Sequence, residues 1–366
     1  MKFIVNGLEL SNTCNKVVKA VSNKTTNPIL EGIKLYVKGD ELTLTATDAE
    51  ISIEKTIKVS TFNEGEILVP GKLFTEYVKK IENEEEIELT KEDNQLKIIY
   101  SSSEGYIQLL QVEEFPIINK DIKEKSFSIK QKDFKELITK SAFACSQDEA
   151  RPLLRGCLIE IEDDIVSSVA LDGFRLSITK KKIKESTGNF KIIISQRTLN
   201  EIVRLLENDE DIFSLIVQKN ILMCEINGTT LISRLLEGEY IDYKNIIKPS
   251  FASVVNINRN QFLSAIERAS VVATDLKRII KIDIKENYMT VSASSEIGKM
   301  NENVLINLEG KDITIAFNSK FLVDAIKAID DEFVNLHFNT KIDPCVIKPL
   351  SGDDYLYLIL PLRINA

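Results

Sequence analysis

One stretch of this chain is written three times. A strand, a sharp turn and a basic amphipathic helix recur as ILVPGKLFTEYVKKI (Ile67 to Ile81), IIISQRTLNEIVRLL (Ile192 to Leu206) and TIAFNSKFLVDAIKAI (Thr314 to Ile329). Aligned without gaps, Lys72, Arg197 and Lys320 coincide, as do Lys79, Arg204 and Lys327, with Glu76, Glu201 and Asp324 between them. Phe74, Leu199 and Leu322, with Val78, Val203 and Ile326, supply an apolar stripe. Positions seven apart return to one face of a helix that turns once in about 3.6 residues. Each copy therefore carries two cations on one face and a stripe for burial on another. A single copy reads as an ordinary solvated helix. Three copies with the charges in register ask for a shared purpose.

The repeat extends beyond this stretch, and a fold reading has to start from it. Phe3, Phe127 and Val255 align, as do Leu10, Phe134 and Phe262, in a short strand that runs into a helix. NPILEGIKLYV (Asn27 to Val37) matches RPLLRGCLIEI (Arg151 to Ile161), and Asp48 matches Asp172 within LTATDAEISI and SVALDGFRLSI. The third copy is looser there, with LKRIIKIDI and MTVSASSEI. Each unit is predicted to hold two helices and about eight strands, an α+β pattern with the helices covering antiparallel sheets. Helices are expected at 9–24, 71–81, 132–147, 195–208, 258–270 and 318–329. Charged, proline-bearing joints at Phe115 to Ser126 and Tyr240 to Phe251 divide the chain into 1–122, 123–249 and 250–366. Units of this length are of ordinary domain size.

Composition removes most catalytic classes. The five cysteines (Cys14, Cys145, Cys157, Cys224, Cys345) are never paired at metal-ligand spacing and read as buried, reduced thiols, so no metal is expected. The single histidine, His337, lies in a strand-like VNLHFN and reads as structural. No phosphate-cradling GxxxxGK[ST] or GxGxxG is present, and no cofactor is expected. The start, MKFIVNGLELSN, lacks the parts of a signal peptide, and no apolar run reaches membrane-spanning length, so a cytoplasmic protein is expected.

Net charge is −9, yet the six predicted helices together sum to +7. A basic set of helices on an acidic body suits a polyanion held on one surface and repelled elsewhere. Packed helices sit about 8–10 Å apart, so six would line a hole about 17 Å across and twelve one about 34 Å across. One chain could not surround a DNA duplex; two could, if head-to-tail contacts closed a ring. Contacts of Lys and Arg with phosphate carry no sequence information, so such a ring could slide. Lys72, Lys79, Arg197, Arg204, Lys320 and Lys327 are the residues this reading turns towards DNA.

NPIL, RPLLRG ahead of VALDGFRLS, LEGEYIDYKNIIKP (Leu236 to Pro249) and the ending YLYLILPLRI resemble the bacterial DNA polymerase III β subunit family, the replicative sliding clamps. The resemblance covers essentially the whole chain. It implies three DNA-clamp domains, a closed head-to-tail homodimer around double-stranded DNA, and no catalytic activity. It implies too that polymerase and clamp loader dock through short apolar peptide motifs. The docking site carried over has one wall of Leu154, Leu171, Gly173, Arg175 and Leu176 and another of Leu358, Leu360, Pro361, Leu362 and Arg363. Phe321, Ile342 and Pro344 are weaker matches, and Ile241 and Asn245 stand where the family often has Pro and Arg. Arg175 and Arg363 would fix a peptide carbonyl or carboxylate. Lys24 falls where the family has a basic loop residue, and Tyr106 and Leu109 would face Val271 and Val272 across the ring joint.

Two other readings compete. A β-rich self-associating scaffold without nucleic-acid binding has no reason to concentrate positive charge on helices. An enzyme using Asp48 and Asp172 as paired carboxylates would have to duplicate its catalytic group with its scaffold; the matched positions suggest turn-capping instead.

Overall fold

The computed structural model describes residues 1–22, 25–112 and 114–363. Among the described residues six α-helices form: α1 (Gly7–Val17), α2 (Gly71–Lys80), α3 (Gln131–Thr139), α4 (Gln196–Leu205), α5 (Arg259–Val272) and α6 (Ser319–Lys327). Asparagines start three of them. Asn6 accepts the Glu9 N–H at 3.1 Å, Asn258 the Gln261 N–H at 3.1 Å and Asn318 the Lys320 N–H at 2.9 Å, satisfying amide groups that the first helical turn leaves open.

Two helices, α1 and α3, stop seven and eight residues short of their predicted ends. α1 gives way at Val18–Ala20 to a 3-10 turn, and Val21 is already extended, so the helix has ended there. After α3, the Ser141 hydroxyl donates to Leu137 C=O at 2.8 Å while its N–H reaches only Ile138 C=O. The helix tightens into the 3-10 turn Ala142–Ala144 and ends.

By packing, the chain forms two compact units, Met1–Gln131 with Asn200–Leu235, and Lys132–Leu199 with Leu236–Ala366. In the first, a five-stranded antiparallel sheet has the order 60–63, 2–5, 87–92, 95–100, 103–108. A second sheet runs 125–130, 212–218, 221–226, 229–234, 51–58, 41–47, 32–38, 65–70. In the second unit one continuous order runs 190–195, 156–162, 165–171, 175–182, 355–359, 345–348, 333–338, 253–258, 298–310, 288–295, 279–285, 313–318.

The sheets do not respect the repeat. Thr229 to Ser233 pair with Lys55 to Ile51, and Arg175 to Thr179 with Ile359 to Tyr355, so strands of successive repeats are hydrogen-bonded neighbours. Backbone ladders leave no polar gap to mark a domain edge, and the central repeat is shared between the two compact units.

The aligned positions form the cores. Phe3, Phe127, Val255, Leu10, Phe134 and Phe262 are all at most 1% exposed. The second-copy stripe follows Leu199 and Ile202, both fully buried, while Val203 is only half-buried. All five cysteines are buried free thiols. Burial pushes Cys224 up to about 12 and raises Cys14 and Cys345 further, so these sulfurs stay protonated and poor nucleophiles.

His337 is half-buried in strand Phe333–Phe338, its ring 4.8 Å from that of Phe251. Burial, with the nearby Lys348 charge, lowers its pKa from 6.5 to about 4. Protonation then favours the unfolded chain. The destabilisation is absent above about pH 6.5, grows as pH falls, and levels off below about 4. His337→Asn should flatten the urea-unfolding midpoint across that window relative to the unaltered chain; parallel pH profiles would contradict it.

Candidate partner groove and basic helix faces

The residues expected to form a docking site lie in the second compact unit. Leu154, Leu171, Leu176 and Leu358 are buried in one cluster with Leu158, Val169, Ile178, Ile193, Tyr243 and Val346. Strand pairing explains the convergence, because Leu176 stands opposite Leu358, and Leu358 opposite Val346. Around this floor the exposed apolar residues are Phe174, Ile241, Ile246, Ile342 and Leu360, with Pro344, Pro361 and Leu362 half-buried. The C-terminal wall is tied by its backbone: Leu360 N–H donates to Phe174 C=O at 2.9 Å and Leu362 N–H to Ala316 C=O at 2.8 Å.

The turn between strands 165–171 and 175–182 is built by Asp172. Its Oδ1 accepts the N–H groups of Phe174 (2.8 Å) and Arg175 (3.0 Å). Asp48 does the same with Glu50 (3.0 Å) and Ile51 (2.9 Å). These carboxylates are turn caps, as their duplication suggested, and not a catalytic pair. Gly173 takes φ +92°, which a side chain would strain, and a Cβ there would meet Arg151 Nη1 at 3.1 Å.

Arg175 is already engaged within the chain. It is 8% exposed, its Nε bonds Asp172 at 3.0 Å, and its Nη1 bonds Asp324 on α6 at 2.6 Å. Its guanidinium also lies 4.7 Å from the Phe321 ring centroid and 5.5 Å from that of Phe143. With its Nε–H and one Nη1–H committed to carboxylates and rings beside it, the guanidinium fixes α6 and Phe321 beside the turn. Phe174 in turn stacks on Phe321 at 6.1 Å. Arg363 and Arg151 are exposed cations in the same segments.

Asn245 is exposed and donates to Asp242 at 2.7 Å. The short helical turn Lys244–Ile246 that carries it is anchored by Tyr243, whose hydroxyl donates to the buried Glu160. Burial opposes ionisation of Glu160, but Lys191 at 2.5 Å and Tyr243 outweigh it and hold its pKa below the usual value.

On the repeated helices, Lys72, Lys79, Arg197, Arg204, Lys320 and Lys327 are all exposed. Arg204 is engaged by Glu201 and Lys327 by Glu267 at 2.7 Å, whereas Lys72, Lys79 and Lys320 make no ion pair with a described residue. In the first unit a cleft of about 690 Å³ lies between α1 and residues 201–207, lined by Lys16, Lys19, Lys55 and Arg204 and by Glu9, Glu201 and Glu207. Lys16 and Lys19 were legible only as the excess charge of the first helix, and Lys55, on strand 51–58, was not legible as part of it. Lys24 lies outside the described residues. Of the four residues expected at a ring joint, Tyr106 and Val271 are exposed, but Leu109 is buried and Val272 packs against its own core.

Family models for the DNA polymerase III beta subunit match in chain order: the N-terminal domain over residues 1–119, the central domain over 128–242 and the C-terminal domain over 244–363. The chain belongs to the DNA polymerase III beta subunit family. Similar proteins include the beta sliding clamp of Staphylococcus epidermidis, 32% identical over 99% of both chains. That of Halalkalibacterium halodurans is 33% identical over 99% of this chain and 100% of its own. Among solved structures, the DNA polymerase sliding clamp of Bacillus subtilis superposes with a TM-score of 0.95 at 27% identity, covering 100% of both chains. The DNA polymerase III beta subunit of Thermotoga maritima gives 0.93 at 29%, again over 100% of both. The exposed aromatic Phe174 and the rim residue Ile246 were missed from sequence. Both sit inside segments that carry the resemblance, VALDGFRLS and LEGEYIDYKNIIKP, beside residues of clearer chemistry.

Proposed function

We propose that the chain is a sliding clamp, a non-catalytic protein that encircles duplex DNA and tethers a replicative polymerase to it. The full-length three-domain family match carries the reading, and the basic helices give it a physical basis. The scaffold alternative leaves those helices unexplained. The working division is three clamp domains, 1–122, 123–249 and 250–366, acting in the cytoplasm, where bacterial DNA is copied.

Two copies close the ring head to tail. Strand ends support this. Ser103–Gln108 borders its sheet, and Gly298 to Leu305 pair on one side only, with strand 288–295. By repeat position, Ser103–Gln108 corresponds to strands 229–234 and 355–359, and Gly298 to Glu302 correspond to Ile51 to Lys55 and Arg175 to Thr179. Those counterparts are the ladders that join successive repeats within the chain. An open edge of this kind seeks a strand, and a second copy supplies it.

Polymerase and clamp loader dock by short apolar peptides on the groove floored by Leu154, Leu171, Leu176 and Leu358. With the loader and ATP, this protein should lengthen the products a polymerase makes in one binding event on a primed circle. Ile342→Asp with Leu360→Asp places charge on an exposed apolar rim and should weaken peptide binding at least about tenfold, since desolvating an unpaired carboxylate costs well over 1.4 kcal/mol. Product length should fall to the clamp-free value while the urea midpoint stays put. Full-length products from the double variant would remove the groove assignment, and no lengthening by the unaltered chain would remove the clamp reading.

A further inference from the structure

The strand ladders between repeats are accompanied by an ion pair that also repeats. Lys16 at the end of α1 pairs with Glu207, just beyond α4. Lys140, just beyond α3, pairs with Asp330, just beyond α6, at 2.8 Å. In repeat coordinates these are one interaction. Lys16, Lys140 and Arg268 each lie nine residues after the first residue of α1, α3 and α5. Glu82, Glu207 and Asp330 each lie eleven residues after the first residue of α2, α4 and α6. Charge sign is kept at both positions in all three copies.

The third pairing, Arg268 with Glu82, is not made within the chain. Arg268 instead forks onto Glu302, with Nε to Oε2 at 2.8 Å, and Glu82 accepts the Ser11 hydroxyl at 2.9 Å. The side chain of Arg268 is 58% exposed, against 25% for Lys16 and 18% for Lys140. An apolar neighbour repeats in the second and third copies, where the first has Lys19. Phe143 and Val271 each lie twelve residues after the start of α3 and α5. Phe143 meets Tyr357 of the following repeat edge-on at 5.3 Å, whereas Val271 is 74% exposed.

We infer that Arg268 of one copy leaves Glu302 and pairs with Glu82 of a second copy of this chain, with Val271 packed beside it, so that this ion pair clasps each inter-subunit joint. The inference rests on the head-to-tail dimer proposed above. Opposite charges at equivalent positions make the surfaces complementary, and a head-to-tail contact brings the third repeat of one chain to the first of the next. Exchange of Glu302 for the partner's Glu82 swaps one ion pair for another. The net gain is therefore small, while a like-charge contact is costly.

Charge exchange tests it. Glu82→Lys and Arg268→Glu are made singly and together, and the dimer dissociation constant is measured by sedimentation equilibrium. Each single variant should weaken the dimer at least tenfold, and the double variant should return to within about threefold of the unaltered chain. Glu82→Gln and Arg268→Gln, which add no repulsion, should weaken it about threefold and guard against a misfolded reversal. A dimer whose dissociation constant ignores all the single changes, or a double variant as weak as the two singles combined, would overturn the clasp and leave the dimer standing. An unaltered chain that stays monomeric at every concentration would overturn the dimer and the clasp together.

Discussion

Arg175→Ala should lower the stability of the folded chain by about 3 kcal/mol, near the lower end of what removing one partner from a buried ion pair costs. The reasoning is local. Arg175 is held by Asp172 and Asp324 and is flanked by the rings of Phe143 and Phe321. Its loss strands the Asp172 carboxylate, 13% exposed, beside an unfilled gap; Asp324, at 29%, recovers some hydration. Asp324→Asn should therefore cost less than about 1 kcal/mol, because Arg175 keeps Asp172 and a half-exposed pair contributes little. Urea unfolding compares the two. A residue whose main task was to hold a partner peptide would give the opposite result, with unchanged stability and lost peptide affinity.

Reversing Lys72, Arg197 and Lys320 to Glu should weaken association with DNA on the order of 100-fold at low salt, with folding intact. Six charges per dimer would change sign, and every phosphate left without its cation lowers the slope of log K against log salt by about 0.9. All three side chains are exposed, and Lys72 and Lys320 make no ion pair with a described residue. Reversing Arg204 and Lys327 should matter less, since Glu201 and Glu267 already take up part of their charge. Equal effects from the two sets would mean that helix cations act only through the general field. Fluorescence anisotropy on a duplex across a salt series separates these outcomes.

Much of the architecture was legible because the chain states it three times. Any one strand-to-helix transition is ambiguous, but Phe3, Phe127 and Val255 in register fix the buried face, and all three are buried. The turn-capping role of Asp48 and Asp172 followed from the same duplication. Helix ends were harder to read. α3 stops at Thr139 because the Ser141 hydroxyl and a 3-10 turn compete with the next helical bonds, which periodicity does not register. The continuation of sheets across the repeats was hidden too, since an alternating strand does not reveal its neighbour.

Within the candidate site, the aliphatic floor was readable and the chemistry of Arg175 was not. Its second carboxylate, on Asp324, is 149 residues away in sequence, and its flanking rings come from two other segments. An arginine beside an apolar groove suggests a ligand contact until those partners are seen. The Lys16 and Lys140 ion pairs could have been found beforehand by carrying the repeat arithmetic from the helices into the turns that follow them.

Topology tests the central claim most directly. The protein is loaded onto a nicked circular plasmid with clamp loader and ATP, freed of unbound chain by gel filtration, and the plasmid is then cut once. A ring that holds DNA by enclosing it should remain with the circle through the column and run off the linear ends within minutes. Retention on the linear plasmid equal to that on the circle would contradict a sliding ring and mean that the basic helices grip DNA from one side.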